Sequence, residues 1–194
     1  NGQALGSALG AELVRHDNVE VMHLIAHSVG AHVIDAITRA YRARTDDPAG
    51  PGAETDARVR PRTIIHQTYL DPFTPRGLFS WRYGERAFGR GADFAENYMT
   101  SDDPAFPTNA PLQLAWNLDL SDRVPDQPHP EGGIAHYWPV EFYISSAAEP
   151  GHRGTLDGLP EPGVARSPYL RTLLGEYYQR LSEALTPGAV ETPE

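Results

Sequence analysis

The sequence predicts an α/β fold with a mostly parallel sheet flanked by helices, and three observations carry that reading. Short apolar runs of strand length alternate with longer segments of helical period. The stretches between them are rich in Pro, Gly and Asp, which end regular structure. A length of 194 residues suits one domain, spanning 1–194, that buries a core without a metal or disulfide.

The elements follow in order. Residues 4–15 place Leu5, Ala8, Leu9, Leu13 and Val14 on one expected helix face. Residues 19–26 form a short apolar run and read as a buried parallel strand. Residues 29–44 return to helical spacing with Val33, Ile34, Ile37, Ala40 and Tyr41. Residues 45–62 are a loop by composition. Residues 63–70, with Ile64, Ile65 and Tyr69, read as a strand that stops at Asp71-Pro72. Residues 73–94 carry aromatics, Gly and Arg without a period and read as an excursion. Two further strands are expected over 95–100 and 112–120, then a loop over 124–133. Pro139 suits the start of a helix, where its missing N–H costs nothing. Leu170, Leu173, Leu174, Tyr177, Leu181 and Leu185 make the clearest amphipathic helix. No internal repeat or second domain emerges.

Composition narrows the function. The net charge of −10 argues against nucleic acid or an anionic membrane surface as a partner, since both need a positive field. Cysteine is absent, which removes disulfides and thiolate metal sites. All basic side chains are arginine, a feature that reads as coding bias. No apolar run has the length of a membrane span. The chain opens at Asn1, already in a helical pattern, so a processed product or a piece of a longer chain is the expectation.

The stretch "HLIAHSVGAH", residues 23–32, concentrates the chemistry. A strand, a sharp turn with Ser28 at its tip and a helix make a nucleophile elbow. Such a turn strains the serine backbone and needs small residues two positions to either side. Here these are Ala26 and Gly30, so the pattern is A-x-S-x-G. The helix after Ser28 would aim its first amides at the reaction site, and the Val29 N–H would bind an oxyanion. The plain alternative is a serine that caps a buried helix.

A nucleophilic serine needs a base, and the base needs an orienting carboxylate. Asp71 stands where the second strand ends. His136, in "GGIAHYWPVEFY", lies beyond the last expected strand on what reads as a loop, among aromatic residues. Ser28, Asp71 and His136 thus fill three roles in the order nucleophile, acid, base.

On the segments "MHLIAHSVGAHVIDA", "TYLDPFTP", "AENYMTSDDP", "WNLDLS" and "AHYWPVEFY", the chain resembles the α/β-hydrolase superfamily, and within it lipases of the pancreatic-lipase type. The resemblance spans about residues 18–146. It implies a serine hydrolase of carboxylic esters, with Ser28 as nucleophile, Asp71 as acid, His136 as base and no cofactor. Ester or lipid is the implied substrate. Ala26 departs from the glycine usual in the group, and the disulfides of animal members are missing. That fold also places strands before the elbow strand, and this chain has room there for one helix only. The N-terminal strands and a second oxyanion donor are therefore expected to lie outside this sequence, in a missing segment or a partner chain. Two further readings stay open: a catalytically silent hydrolase-fold binding module, and a half-domain that needs a partner.

Other residues compete for roles. Asp102, with Asp103, follows an expected strand and is the alternative acid. His23, His27 and His32 suggest a metal cluster but lack the framing carboxylate, so no metal is expected. His66 reads as a hydrogen-bonded core histidine, and His129 and His152 as solvated loop residues. The segment 76–90, with Phe79, Trp81, Tyr83 and Phe88 among its arginines, reads as a lid, a substrate-contacting insert or an irregular surface loop.

Overall fold

A computed structural model describes residues 2–16, 19–45, 63–77, 79–101, 108–125, 134–148 and 190–191. Within them lies one parallel sheet of five strands: β1 (Val21–His27), β2 (Ile64–Leu70), β3 (Phe94–Met99), β4 (Trp116–Asp119) and the two-residue β5 (Val190–Glu191). Spatial order equals chain order, and every neighbouring pair is parallel. The register pairs Ala26 with Tyr69 and His27 with Leu70, so β1 and β2 end at one level. The class is α/β, as the alternation predicts.

Strand alternation sends residues to two faces. Met22, Ala26, Ile65 and Tyr69 point to the side where α2 (Ala31–Thr45) contributes Ile34 and Ile37. Leu70, Tyr98, Trp116 and Leu118 point to the other side and meet Phe142 and Trp138 of α4 (Ile134–Ala148). β2 and β3 are buried along nearly their whole length, as strands covered on both faces should be.

The first helix, α1 (Gly2–Leu13), packs on α2 by a face the hydrophobic pattern does not indicate. Leu5 is 57% exposed and Leu9 is 43% exposed, whereas Gly6 and Gly10 are buried. A Cβ at Gly6 would sit 2.3 Å from the Val33 carbonyl oxygen, and one at Gly10 would sit 2.4 Å from that of Ile37. The two helices approach so closely that only a side without side chains fits between them. The expected apolar face is thus corrected to a glycine face in place of Leu5, Ala8 and Leu9, while Leu13 and Val14 pack against the core as expected.

Two further differences have local causes. The strand expected over 112–120 is confined to Trp116–Asp119. The Asn117 side chain bonds Leu112 N and the carbonyls of Leu112 and Ala115, which holds the preceding residues in a turn. Pro139 lies inside α4 and does not start it; the helix begins at Ile134. Among the described residues β1 is an edge strand paired with β2 alone, as expected of a chain with no strand before it. Within the expected excursion, a short helix α3 (Tyr83–Ala87) forms. Strand β5 carried no signal of its own, being two residues long. The amphipathic helix expected over 170–185 lies outside the described residues.

Candidate active site

Among the described residues, the non-glycine residues with positive φ are Ser28 (52°) and Asp71 (46°). Both follow directly on a strand end, at β1 and β2. A left-handed backbone at a non-glycine residue costs about 1–3 kcal/mol and persists only where its surroundings impose it. At Ser28 the chain reverses from strand into a 3-10 turn, Ser28–Gly30, that feeds α2. The turn brings Gly30 back over the strand, and a Cβ there would stand 3.4 Å from that of Ala26. The small residues at these two positions therefore face one another. Val29, next in the turn, presents its amide near the N-terminal end of α2, where early amides lack helical acceptors.

Asp71 is fully buried and its two carboxylate oxygens are separately engaged. Oδ2 accepts from His136 Nδ1 at 2.6 Å, and Oδ1 accepts from the Thr100 amide at 3.3 Å. The Asp71 amide donates to the Tyr98 carbonyl at 2.8 Å, extending the β2–β3 ladder by one residue. With Nδ1–H given to the carboxylate, a neutral His136 carries its free lone pair on Nε2. That is the tautomer a general base requires.

His136 sits in the first turn of α4 and not on a loop, which corrects the sequence reading. The cause lies three residues on. Pro139 has no N–H, so the carbonyl of Ala135, four residues back, loses its helical donor. The Thr100 hydroxyl donates to that carbonyl at 3.0 Å. One residue later, His27 Nε2 donates to the His136 carbonyl at 3.1 Å, with the two imidazole centroids 4.5 Å apart. Thr100 follows β3 and His27 ends β1. The helix turn that carries His136 is therefore pinned to two strand ends.

The elbow and the Asp71 loop are also tied directly, since Phe73 N donates to the Ser28 carbonyl at 3.0 Å. Ser28, Asp71 and His136 are thus gathered at the ends of β1 and β2, with the Asp71–His136 hydrogen bond formed. No hydrogen bond joins the Ser28 hydroxyl to His136 in this arrangement; such contacts often close only around substrate. Asp102 and Asp103 lie outside the described residues, as do His129 and His152.

The other histidines separate. His32, on α2, stacks on Tyr83 and meets Phe88 edge-on, a packing role. His23 joins His66 and Glu96 in a buried polar cluster whose ligand-type atoms lie within 4.8 Å of one another. Hydrogen bonds run through all three. Thr68 donates to Glu96 at 2.6 Å, so His23 Nε2, 2.8 Å from the same hydroxyl, must be the donor there. His66 Nε2 donates to Glu96 at 2.9 Å, and Tyr98 adds its hydroxyl at 3.2 Å. Both Nε2 atoms carry protons aimed at oxygen, and the rings stack in parallel at 4.0 Å. Parallel stacked rings do not converge on an ion, so the donor set fits a hydrogen-bonded core and not a metal. Burial pushes His23 down to about 3, the neighbouring His66 adds to the fall, and Glu96 opposes it. Burial pushes Glu96 up, yet His66, Thr68 and His23 outweigh it and hold it below the usual carboxylate value.

Sequence reasoning placed His66 as a hydrogen-bonded core histidine but missed its partners His23 and Glu96, as well as Thr100 and the carbonyl that His27 holds. Signals existed: polar residues inside apolar strands, and a helical proline that frees a carbonyl four residues earlier. No protein-family model matches the chain, and neither a curated protein nor a solved structure is detectably similar to it.

Proposed function

We propose that this chain is a serine hydrolase of carboxylic esters, a lipase or esterase of α/β-hydrolase type. One observation carries the reading. Ser28 and Asp71, the two non-glycine residues with positive φ among the described residues, sit at adjacent strand ends, and Asp71 holds the Nδ1–H of His136 at 2.6 Å. Strain at such positions is the usual mark of a site whose geometry matters more than local stability.

The chemistry follows from these groups. Ser28 Oγ attacks the ester carbonyl while His136 Nε2 takes its proton. The oxygen that becomes negative accepts the Val29 N–H. Collapse expels the alcohol, which takes the proton back from His136, and leaves an ester on Ser28. Water, deprotonated by the same Nε2, then releases the acid. Asp71 orients the ring and stabilises the imidazolium without itself becoming protonated. No cofactor enters these steps. A fluorophosphonate probe should label Ser28, and Ser28→Ala should lose both labelling and ester turnover. Unchanged labelling of that variant would overturn the assignment, and absent labelling of the unaltered chain would favour a catalytically silent module.

A second reading has one observation in its favour. The elbow strand β1 lies at the edge of the described sheet, with Ile25 48% exposed. A strand supplied at that edge by a partner chain would give β1 the central place that the resemblance implies, and with it a second oxyanion donor. On this reading the chain is a half-domain, and full turnover appears only after the partner is added.

A further inference from the structure

We propose that the excursion between β2 and β3 is a docking surface for a membrane of anionic phospholipid. The inference stands independently of the hydrolase reading. Arg76 N donates to the Ser80 carbonyl at 2.9 Å and closes a short loop. Near its tip Phe79 is 97% exposed, and Trp81 just after it is 52% exposed. Beside them Trp81, Arg82, Arg86 and Arg90 line an open groove of about 550 Å³.

The charge here opposes that of the whole. Residues 76–90 hold Arg76, Arg82, Arg86 and Arg90 against one acid, Glu85, in a chain of net charge −10. Glu85 is paired with Arg82, and Asp35, which meets Tyr83, is paired with Arg39. Arg76 lies over the Tyr83 ring, 4.8 Å from its centroid. Arg86 and Arg90 have no acidic partner among the described residues. At physiological salt, charge is felt over about 8 Å, so a surface that touches this loop senses its own arginines more than the net charge of the chain.

Apolar tips backed by cations are what a headgroup layer accepts: the aromatics enter the interface while the guanidiniums meet phosphate. The nearly full exposure of Phe79 suits the apolar layer of a membrane better than the charged backbone of a nucleic acid. Each arginine held at an anionic surface strengthens partitioning by roughly fivefold.

Sedimentation with vesicles tests this on the full chain. Vesicles of phosphatidylcholine with about one third phosphatidylglycerol should carry the protein down, and pure phosphatidylcholine should not. High salt should release it. Phe79→Ala with Trp81→Ala, and separately Arg86→Glu with Arg90→Glu, should each weaken binding by about tenfold or more. These side chains lie at the surface, so thermal melts should match the parent; if a double variant does not fold, Phe79→Ala or Arg90→Gln alone replaces it with a smaller loss expected. No binding to the anionic vesicles, equal binding by the variants, or binding to a single-stranded oligonucleotide in place of vesicles would each overturn the proposal.

Discussion

The hydroxyl of Thr100 donates to the carbonyl of Ala135, and this bond replaces the one that Pro139 cannot make. Its consequence is positional. The same residue gives its amide to Asp71, so Thr100 touches the acid with its backbone and the base-bearing turn with its side chain.

Thr100→Val should therefore leave Asp71 in place but release Ala135. An unsatisfied buried carbonyl costs about 1–3 kcal/mol and this one is partly buried, so a loss of up to about 1 kcal/mol is expected as a lower denaturation midpoint. If the hydrolase reading holds, kcat should fall by roughly tenfold with KM little changed, since one misplaced group costs on that scale or more. Thr100→Ser should restore both. A valine variant with the parent's stability and kcat would remove Thr100 from the site.

Asp71→Asn tests the acid. An amide at this position would favour the wrong imidazole tautomer, and turnover should fall by about 10⁴-fold. Asp102→Asn should stay near normal. The reverse pattern in steady-state kinetics would move the role to Asp102.

The glycine face of α1 gives a prediction about stability alone. Gly6→Leu cannot be placed without parting α1 from α2, because even its Cβ meets the Val33 carbonyl. A loss of about 2 kcal/mol or more is expected in chemical denaturation. Leu5→Ser, on the exposed side, should change stability by less than about 0.5 kcal/mol. If the leucine is lost at greater cost than the glycine, the two faces are reversed.

The buried histidine cluster predicts acid sensitivity. Folding lowers His23 from 6.5 to about 3, so between those values the unfolded chain holds a proton that the folded one lacks. Stability is then complete above about pH 6.5 and drains away as pH falls, by up to a few kcal/mol. Glu96, also lowered on folding, acts in the same direction below its ordinary range. Thermal melts from about pH 7 down to 4 should show the decline in the parent and a shallower one in His23→Gln. Equal slopes would dismiss His23 as the cause.

The edge position of β1 makes a last prediction. An edge strand with an exposed isoleucine invites pairing with another chain, so the protein should self-associate as concentration rises. Ile25→Lys should reduce that association in light scattering and leave the melting temperature nearly unchanged. An unaltered chain that stays monomeric at high concentration would argue that this edge is protected.

Much of this arrangement was legible in the sequence. The alternation of apolar runs and helical period determines an α/β class, because strand and helix each bury one kind of pattern. The turn at Ser28 was readable too, since small residues at Ala26 and Gly30 face one another across it, where a Cβ at Gly30 would stand 3.4 Å from that of Ala26. Asp71 was visible as the residue where a strand must stop before proline.

Other features belonged to the tertiary structure. Hydrophobic spacing turned α1 the wrong way, since close approach of two helices rewards the absence of side chains, and a pattern of apolar residues does not register that. Pro139 read as a helix start because its missing N–H is harmless there. Inside α4 it is tolerated because Thr100, 35 positions from Ala135 in the chain, supplies the donor. The pairing of Asp71 with His136 likewise joins residues 65 positions apart. Local sequence determined which segments become strands and helices. Which carbonyl is rescued, which oxygen holds which ring nitrogen and which helix face lies inward were decided only when distant segments met, because hydrogen bonds and close packing depend on position in space, not along the chain.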